Sequence, residues 1–367
     1  MEICWIGLDL LDTGGISTYS RYVVKTLNEL KNDKFYLTSI INLSYSKNRT
    51  NFELKTDKRI TYCEYRKTYQ RIIALFKSFN KIYKSEVIIL NHISLFLFAI
   101  VAFILRKKII VFGYNNDITF VKGLRKNVLT YLVNKIIVDS TYTQKTLKRK
   151  FNITSKLLFD PIEKVGNKKK DIDFSGYCSE RKMKLITIAV LRMSQNKGHR
   201  QVFEALKELR GLHIKYLIVG DGPDYNNLKN IVDKYNINDL VEFKGYVSER
   251  EKYELMESSD IAILISKQLP LLGEGLPLGL IEAGALGNAI IGGNEDGTVD
   301  AIDSSNPNGF LINPYKIKDL VKIINTYYFD NELLERHKKN SIHYCKENFI
   351  YEKFKTKLKS YLMEYKQ

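Results

Sequence analysis

The chain has few of the residues that would place it among disulfide-rich, zinc-binding or disordered proteins. Its 367 residues include only 4 cysteines, with no CxxC spacing and no signal-peptide pattern ahead of them. We therefore expect free thiols in a reducing compartment and no zinc site. Only 21 glycines and 6 prolines are present and 44% of the residues are hydrophobic, which argues against disorder and low complexity. A chain of this length can form two domains with large cores.

A transmembrane segment is also missing, although residues 87–105 (VIILNHISLFLFAIVAFIL) resemble one at first sight. Asn91 and His92 would be costly at membrane depth. The uninterrupted apolar part, Leu95 to Leu105, is too short to span a bilayer. The pattern predicts a buried strand at Val87 to Leu90, a polar turn at Asn91 and His92, and then a buried helix.

Acidic residues are scarce in the first part of the chain. Residues 1–160 carry 27 Lys and Arg against 12 Asp and Glu, a net charge of +15, whereas residues 161–367 carry only +2. A part this basic favours a polyanion or an anionic surface as a partner. Residues 66–84 and 120–135 place large apolar residues at helical spacing between cations, as helices that lie on anionic membranes do. The same stripes could instead face a core, and the sequence leaves both alternatives open.

Strands alternate with helical patterns in two series, which is typical of parallel sheets covered on both faces. The sequence therefore predicts an α/β protein with two Rossmann-like domains that face each other across a cleft. We predict a first domain at 1–163, a linker at 164–180, a second domain at 181–345 and a final helix within 346–367. The predicted strands are 3–7, 36–42, 87–90, 109–112, 135–138 and 156–160 in the first series, and 183–190, 214–219, 241–243, 261–265, 289–291 and 309–312 in the second.

The stretch 271–293, LLGEGLPLGLIEAGALGNAIIGG, contains two carboxylates, Glu274 and Glu282, in a glycine-rich loop and a short helix between two strands. This pattern puts the loop at the carboxyl end of a buried parallel strand, where open α/β sheets bind ligands. Glu282 has apolar neighbours and needs hydroxyl or amide donors, which a ribose diol would supply. Glu274 lies nearer the mouth, within reach of sugar hydroxyls. The alternative is a surface loop with two solvated glutamates.

Pro277 is expected in the first turn of that helix, where its missing N–H has no consequence. The amides of the next residues would then point out of the helix start. With the helix dipole they would form an anion site suited to a diphosphate. These residues are Leu278, Gly279 and Leu280.

Further candidates for binding follow other predicted strands. Arg192 and Lys197 lie in the loop after the first strand of the second domain, and two cations there suit a diphosphate leaving group, although they could be ordinary surface charges. The backbone near Tyr246 could meet a nucleotide base. Gly14 and Gly15 lie between the first strand and its helix, where backbone amides could approach a phosphate or a sugar.

His92 follows a buried strand, in a turn at its carboxyl end, so it could move a proton or bind a sugar hydroxyl. It could equally be a structural histidine. Asp171 and Asp173 form a DxD pattern, but they lie in the charged linker, and we expect solvated charge and no metal there.

Taken together, these motifs resemble the GT-B fold glycosyltransferases of family 4, over nearly the whole length of the chain. The segment EGLPLGLIE resembles the E-x7-E motif of that family. Arg192 and Lys197-Gly198 resemble its diphosphate-binding loop, and Gly14-Gly15 resembles its glycine loop. Its later landmarks are similar to residues 220–223, 243–245 and 308–311.

The resemblance implies a nucleotide-sugar donor, transfer with retention of anomeric configuration, and no metal. It implies that Arg192 and Lys197 hold the leaving diphosphate and that Glu282 binds the ribose. Glu274 would contact the transferred sugar, and His92 would lie near the reacting centre. The last helix would cross back to the first domain.

Two departures from the family affect the acceptor side. The family often has His-Asp after a strand of the first domain, whereas residues 113–117 read GYNND here. The usual Pro-Asn-Gly at the domain junction is replaced by FDPI at residues 159–162.

The sequence therefore predicts a retaining glycosyltransferase that moves a hexose-type sugar to a glycan or lipid-linked acceptor in bacterial surface polysaccharide assembly, such as that of lipopolysaccharide or capsule. We expect it in the cytoplasm, held peripherally at the inner face of the membrane through its basic first domain, and without a cofactor. The alternatives are a nucleotide-sugar epimerase or hydrolase of the same fold, a non-catalytic sugar-binding scaffold, and a basic nucleic-acid-binding protein. No nucleic-acid module is recognisable, so we expect no nucleic acid partner.

Overall fold

The computed structural model describes residues 1–8, 10, 15–44, 57–119, 121–166, 182–192, 197–267 and 273–366. The chain divides into two compact units. The first unit contains Met1–Pro161 together with Glu352–Gln367, and the second contains Ile162–Tyr351. The segment 164–180, predicted as a linker, falls largely outside the described residues.

The strands of the first unit are two to nine residues long, and most of them come from apolar runs. They are β1 (Glu2–Leu8), β2 (Tyr36–Ser44), β3 (Ile60–Glu64), β4 (Val87–Leu90), β5 (Lys108–Gly113), β6 (Lys135–Val138) and β7 (Lys156–Leu157). All pair in parallel, in the order β3-β2-β1-β4-β5-β6-β7. The sequence analysis missed β3, because this edge strand is only partly buried and its sequence, ITYCE, lacks an apolar run.

The second unit has a six-stranded parallel sheet, and all six of its strands were predicted. They are β8 (Met183–Ile188), β9 (Ile214–Val219), β10 (Val241–Gly245), β11 (Ile261–Leu264), β12 (Ala289–Gly293) and β13 (Gly309–Ile312). Their order is β10-β9-β8-β11-β12-β13.

Helices connect the strands, as parallel pairing requires. In chain order they are α1 (Gly15–Glu29), α2 (Thr68–Lys84), α3 (Phe96–Ile104), α4 (Asn115–Thr119), α5 (Leu124–Tyr131), α6 (Thr141–Phe151), α7 (His199–Glu208), α8 (Tyr225–Tyr235), α9 (Glu249–Glu257), α10 (Leu278–Ala285), α11 (Ile317–Phe329), α12 (Asn331–Asn348) and α13 (Tyr351–Met363). Short 3-10 turns occur at Leu30–Asp33, Ile93–Leu95 and Gly297–Ala301.

In each sheet the strand order reverses beside the first strand of the unit, β1 in the first and β8 in the second. Right-handed crossovers then put helices on opposite faces on the two sides of this point. A crevice opens there at the carboxyl ends of the two central strands. The loops after β1 and β4 therefore lie together in the first unit, and the loops after β8 and β11 lie together in the second.

The residues that resemble a transmembrane segment form β4, the turn at Ile93–Leu95 and α3, at the predicted places. β4 is fully buried, as predicted, but α3 is buried on one face only, because its end carries the exposed Phe103 and Ile104. Phe98 and Ala102 are buried in the core of the first unit. Within the described ranges, no helix has both the length and the hydropathy needed to cross a bilayer.

The final helix, α13, packs against the first unit. The ring of Phe354 lies edge-on to Tyr19, with ring centroids 5.5 Å apart. The hydroxyl of Tyr361 donates to the carbonyl of Leu157 at 2.7 Å. The chain thus leaves the first unit at Pro161 and rejoins it through its last helix.

Candidate active site

Lys197 lies two residues before the start of α7, and the structure pairs it with Glu274 from the loop after β11. Both side chains are largely buried, at 15% and 16% exposure, and the ammonium contacts the carboxylate directly. Burial lowers the pKa of Lys197 to about 8, although the carboxylate of Asp296 acts in the opposite direction. The pair joins the loops after β8 and β11, between which the strand order of the second sheet reverses.

The position of Lys197 depends on the residue that follows it. Gly198 precedes α7 with a left-handed φ of 88°. A Cβ at this position would lie 2.7 Å from the carbonyl oxygen of Ile265, at the end of β11. Any side chain here would push the loop away from the sheet, so Gly198 keeps Lys197 beside the loop that carries Glu274.

Asp296, after β12, holds the loop with Glu274 in place. One oxygen of its buried carboxylate accepts from the backbone N–H of Glu274 at 2.8 Å and from the Ser266 hydroxyl at 2.6 Å. The other accepts from the backbone N–H and the hydroxyl of Thr298, at 3.0 and 2.6 Å. Burial raises the pKa of Asp296 and these hydrogen bonds lower it. Asp296 was not predicted from the sequence, where its only signal was a carboxylate in the turn after a buried strand.

The start of α10 differs from the prediction. Pro277 is the residue before the helix, with a non-helical ψ of 73°, and the first helical residue is Leu278. The amide of Leu278 donates to the carbonyl of Leu276, and that of Leu280 to the carbonyl of Pro277, each at 3.0 Å. The prediction of three open amides is therefore wrong for two of them, because the tight turn before the helix supplies their acceptors. Within the described residues, Gly279 keeps an amide without such an acceptor.

Glu282 lies on α10 with 18% of its side chain exposed, and its carboxylate pairs with Lys252 of α9. The ammonium is 3.3 and 3.1 Å from the two carboxylate oxygens, and 2.7 Å from Glu249. Burial raises the pKa of Glu282, and Lys252 opposes that shift. The sequence analysis missed Lys252, because it is 30 residues away and only the packing of α9 on α10 brings it close.

Replacing Lys252 by methionine should lower the free energy of unfolding by about 2 kcal/mol, somewhat less than the loss of a fully buried partner, since both side chains retain some exposure. Without the ammonium, the pKa of Glu282 should rise further. A carboxylate with a raised pKa in the folded state destabilises most at high pH, and the effect fades as the pH falls through that pKa. Urea unfolding should therefore show a larger loss at pH 8 than at pH 5.

The control for this variant is Arg250→Met on the same helix, because Arg250 is exposed and pairs only with the exposed Glu254 among its described contacts. It should leave stability unchanged. Equal losses in the two variants, or a loss that does not depend on pH, would contradict a specific role of Lys252 as the partner of Glu282.

Two predicted binding residues lie outside the two ion pairs, Lys197 with Glu274 and Lys252 with Glu282. Arg192 is exposed, two residues beyond the exposed Val190. Tyr246 has 89% of its surface exposed. Both follow strands of the second sheet at their carboxyl ends, but the structure gives neither a contact with Lys197, Glu274 or Glu282.

In the first unit, His92 follows β4 and begins the turn at Ile93–Leu95. Its Nδ1 accepts from the backbone N–H of Ser94 at 3.0 Å. In this geometry the ring proton belongs to Nε2, which lies 2.7 Å from a carboxylate oxygen of Asp117. The carboxylate orients the imidazole.

Asp117 lies on α4, in the loop region where the sequence departs from the family pattern. The loop could be picked out from the sequence, but its contact with His92 could not. Gly15 is the first residue of α1 and is exposed, whereas Gly14 lies outside the described residues.

In the part of the chain that the structure describes, no group of three or more His, Cys, Asp or Glu side chains is arranged to hold a metal ion. Asp171 and Asp173 lie outside those residues.

The second unit is similar to a known protein family. Residues 177–344 match the family model described as glycosyl transferases group 1. This match covers most of the second unit and less than half of the chain. The matched residues contain both ion pairs described above, Lys197 with Glu274 and Lys252 with Glu282.

Individual proteins are also similar to part of the chain. WcaL of Escherichia coli (strain K12), named for glycosyl transfer in colanic acid biosynthesis, is 27% identical over 164 residues, which is 41% of this chain and 39% of that protein. An uncharacterized glycosyltransferase of Haemophilus influenzae is 37% identical over 105 residues, 29% of this chain and 28% of that protein. The chain thus matches about two fifths or less of the length of these relatives.

Solved structures resemble the chain over both units. The crystal structure of Anabaena HepE in complex with UDP-glucose has a TM-score of 0.75 at 16% identity, covering 99% of this chain and 100% of that chain. The lipopolysaccharide outer core galactosyltransferase WaaB has a TM-score of 0.75 at 15% identity, covering 99% of both chains. The predicted GT-B fold, with two parallel-sheet α/β units, is therefore confirmed.

Proposed function

We propose that the protein is a retaining glycosyltransferase that moves a hexose-type sugar from a nucleotide diphosphate sugar to a glycan acceptor carried on a lipid. The observation that carries the proposal is the Lys197–Glu274 pair, placed where the two central loops of the second unit meet, within the residues that match the group 1 model. UDP and UDP-glucose bound to HepE, and the colanic acid role in the name of WcaL, support a sugar nucleotide donor and a surface polysaccharide product.

For donor binding we propose that the diphosphate displaces Glu274 from Lys197 and takes its place beside the ammonium. A diphosphate offers more acceptor oxygens and more negative charge than one carboxylate, so it is the stronger partner for a partly buried cation. The exposed Arg192 would move to the same diphosphate, and the amide of Gly279 would donate to it. Leu278 and Leu280 would then shape the helix start rather than donate.

Glu282 is proposed to accept from the ribose hydroxyls while Lys252 keeps its carboxylate charged. An ionised carboxylate only accepts hydrogen bonds, and a ribose diol provides two donors. The backbone near Tyr246 would meet the base.

The proposed reaction breaks the bond between the sugar C1 and the diphosphate oxygen, which leaves with the electron pair. The acceptor hydroxyl attacks C1 from the same face and its proton passes to the leaving phosphate. Lys197 stabilises the developing charge, and Glu274, released from Lys197, holds the transferred sugar. His92, with Asp117, is proposed to serve the acceptor side. We propose that no metal is needed, since Lys197 and Arg192 supply the positive charge that a metal ion otherwise provides.

The acceptor is proposed to lie at the inner face of the cytoplasmic membrane, with the protein held there peripherally. The net charge of +15 over residues 1–160 supports an anionic surface as the partner of the first unit.

The proposal is tested by a panel of UDP, GDP and other nucleotide sugars, with chelator present and absent. One nucleotide class should raise the melting temperature and be turned over in the presence of a lipid extract that contains acceptors, with the same rate in both conditions. Turnover that needs no acceptor would indicate a hydrolase or an epimerase. The absence of stabilisation by any nucleotide would reject the donor site.

A further inference from the structure

Helix α2 displays its large hydrophobic residues to solvent. The sequence leaves open whether its apolar stripe faces a core, and the structure settles this question: of the 18 exposed large hydrophobic residues among those described, six lie on α2. They are Tyr69, Ile72, Ile73, Phe76, Phe79 and Tyr83, with exposures between 46% and 78%.

The face of α2 that packs on the sheet is made of smaller residues. Ala74, Ser78 and Ile82 are its buried positions, and the Ser78 hydroxyl donates to the carbonyl of Ala74 at 2.6 Å. The exposed residues recur at helical spacing and form one continuous stripe on the opposite side. An ordinary surface helix has the reverse arrangement, and exposed apolar stripes of this size mark binding surfaces.

Cations border the stripe, and α2 itself contains no Asp or Glu. Lys77 and Lys84 are exposed on α2. The neighbouring helix α3 ends with the exposed Phe103 and Ile104. Lys107 donates to the backbone carbonyl of Tyr83 at 2.6 Å, which ties the end of α3 to the end of α2. The end of α3 thus lies beside the end of α2, and Lys107 adds a cation next to Tyr83.

We propose that the outer face of α2, with the end of α3, docks on a membrane surface rich in anionic lipid, with Phe76 and its apolar neighbours inserted between headgroups. An apolar stripe with a basic border and no acidic residue fits that surface. A second copy of the chain would set two positive rims against each other, which is unfavourable. The inference deepens the proposed function, since it rests on an acceptor held at the membrane.

The test is flotation of the full chain with phosphatidylcholine vesicles, prepared with and without phosphatidylglycerol, in the absence of donor and acceptor. Binding should require phosphatidylglycerol. Phe76→Ser should reduce it by about tenfold or more, because a large buried apolar side chain is lost from the interface. The control is Phe329→Ser on α11, where the side chain is 68% exposed but belongs to no such stripe. This control should bind as the wild type does.

A second variant tests the charge. Lys77→Gln with Lys84→Gln should weaken binding to phosphatidylglycerol vesicles by about tenfold or more, at about 1 kcal/mol for each lysine near the surface. Both positions are exposed, so circular dichroism should show an unchanged fold.

Three outcomes would overturn the inference: vesicle binding that is unaffected by Phe76→Ser, binding that is equal without phosphatidylglycerol, or self-association in sedimentation that Phe76→Ser abolishes. The last outcome would assign the face to a second copy. Donor turnover with a water-soluble acceptor is measured separately. Its absence, combined with vesicle binding that depends on Phe76, would reject the transferase proposal and leave the docking surface standing.

Discussion

Replacing Lys197 by methionine should lower kcat/KM for sugar transfer by about 10²- to 10³-fold, the usual effect of removing one preorganised group that stabilises developing charge. The Lys197 side chain is only 15% exposed, so water would screen its ammonium poorly from charge on a leaving diphosphate. Methionine has a similar volume and no charge. Initial rates at varied donor concentration measure the effect, and Lys322→Met, on the exposed face of α11, is the matched control.

A structural contribution of Lys197 can be separated from a catalytic one. The single variant leaves the Glu274 carboxylate without its ammonium partner, which should lower the free energy of unfolding by about 1 to 3 kcal/mol. The double variant Lys197→Met with Glu274→Gln removes both charges and should regain most of that stability. Transfer should remain lost. If transfer returns together with stability, Lys197 serves only the fold.

The same lysine predicts a pH dependence. Burial lowers the pKa of Lys197 to about 8, so the free enzyme loses this cation as the pH rises above that value. The logarithm of kcat/KM should then fall with a slope of about −1 per pH unit on the basic side, because this quantity reports the free enzyme. Lys197→Arg should shift that decline to higher pH, since arginine stays charged.

The second large effect is expected for Glu274→Gln, and here binding and turnover should change in opposite directions. In the free protein the Glu274 carboxylate is paired with the Lys197 ammonium, so a diphosphate that binds Lys197 must displace Glu274. The variant removes this competition, and UDP, or whichever nucleotide the panel identifies, should bind about tenfold more tightly. Transfer should fall by about 10²-fold, because the carboxylate that holds the sugar is lost.

Calorimetry measures the nucleotide affinity and initial rates measure the transfer. Glu251→Gln, at an exposed position of α9, is the control and should change neither. Weaker nucleotide binding with normal transfer would be incompatible with both the displacement of Glu274 and its contact with the sugar.

The regular elements were predictable because burial leaves a periodic pattern along the chain. Central parallel strands such as β4 and β11 are buried at every position and appear as apolar runs. The edge strand β3 is only partly buried, and its sequence contains no apolar run. The site loops could be placed because they follow central strands directly, as Lys197 and Glu274 do.

The partners within the site were not predictable to the same degree. Lys252, Asp296 and Asp117 reach Glu282, the Glu274 loop and His92 from other elements. A contact of this kind depends on how two elements pack, and no spacing along the chain encodes it. The turn before α10 also engages amides that a regular helix start would leave open.

The sequence by itself determined two parallel α/β units and the loops that carry charged residues to the sheet ends, because local apolar patterns and strand–helix alternation suffice for these. Only the tertiary structure decided which charges pair and which face of α2 meets water. Both depend on how distant elements pack. In α2 the small residues Ala74 and Ser78 face the sheet, so the side that carries the large apolar residues is left in solvent.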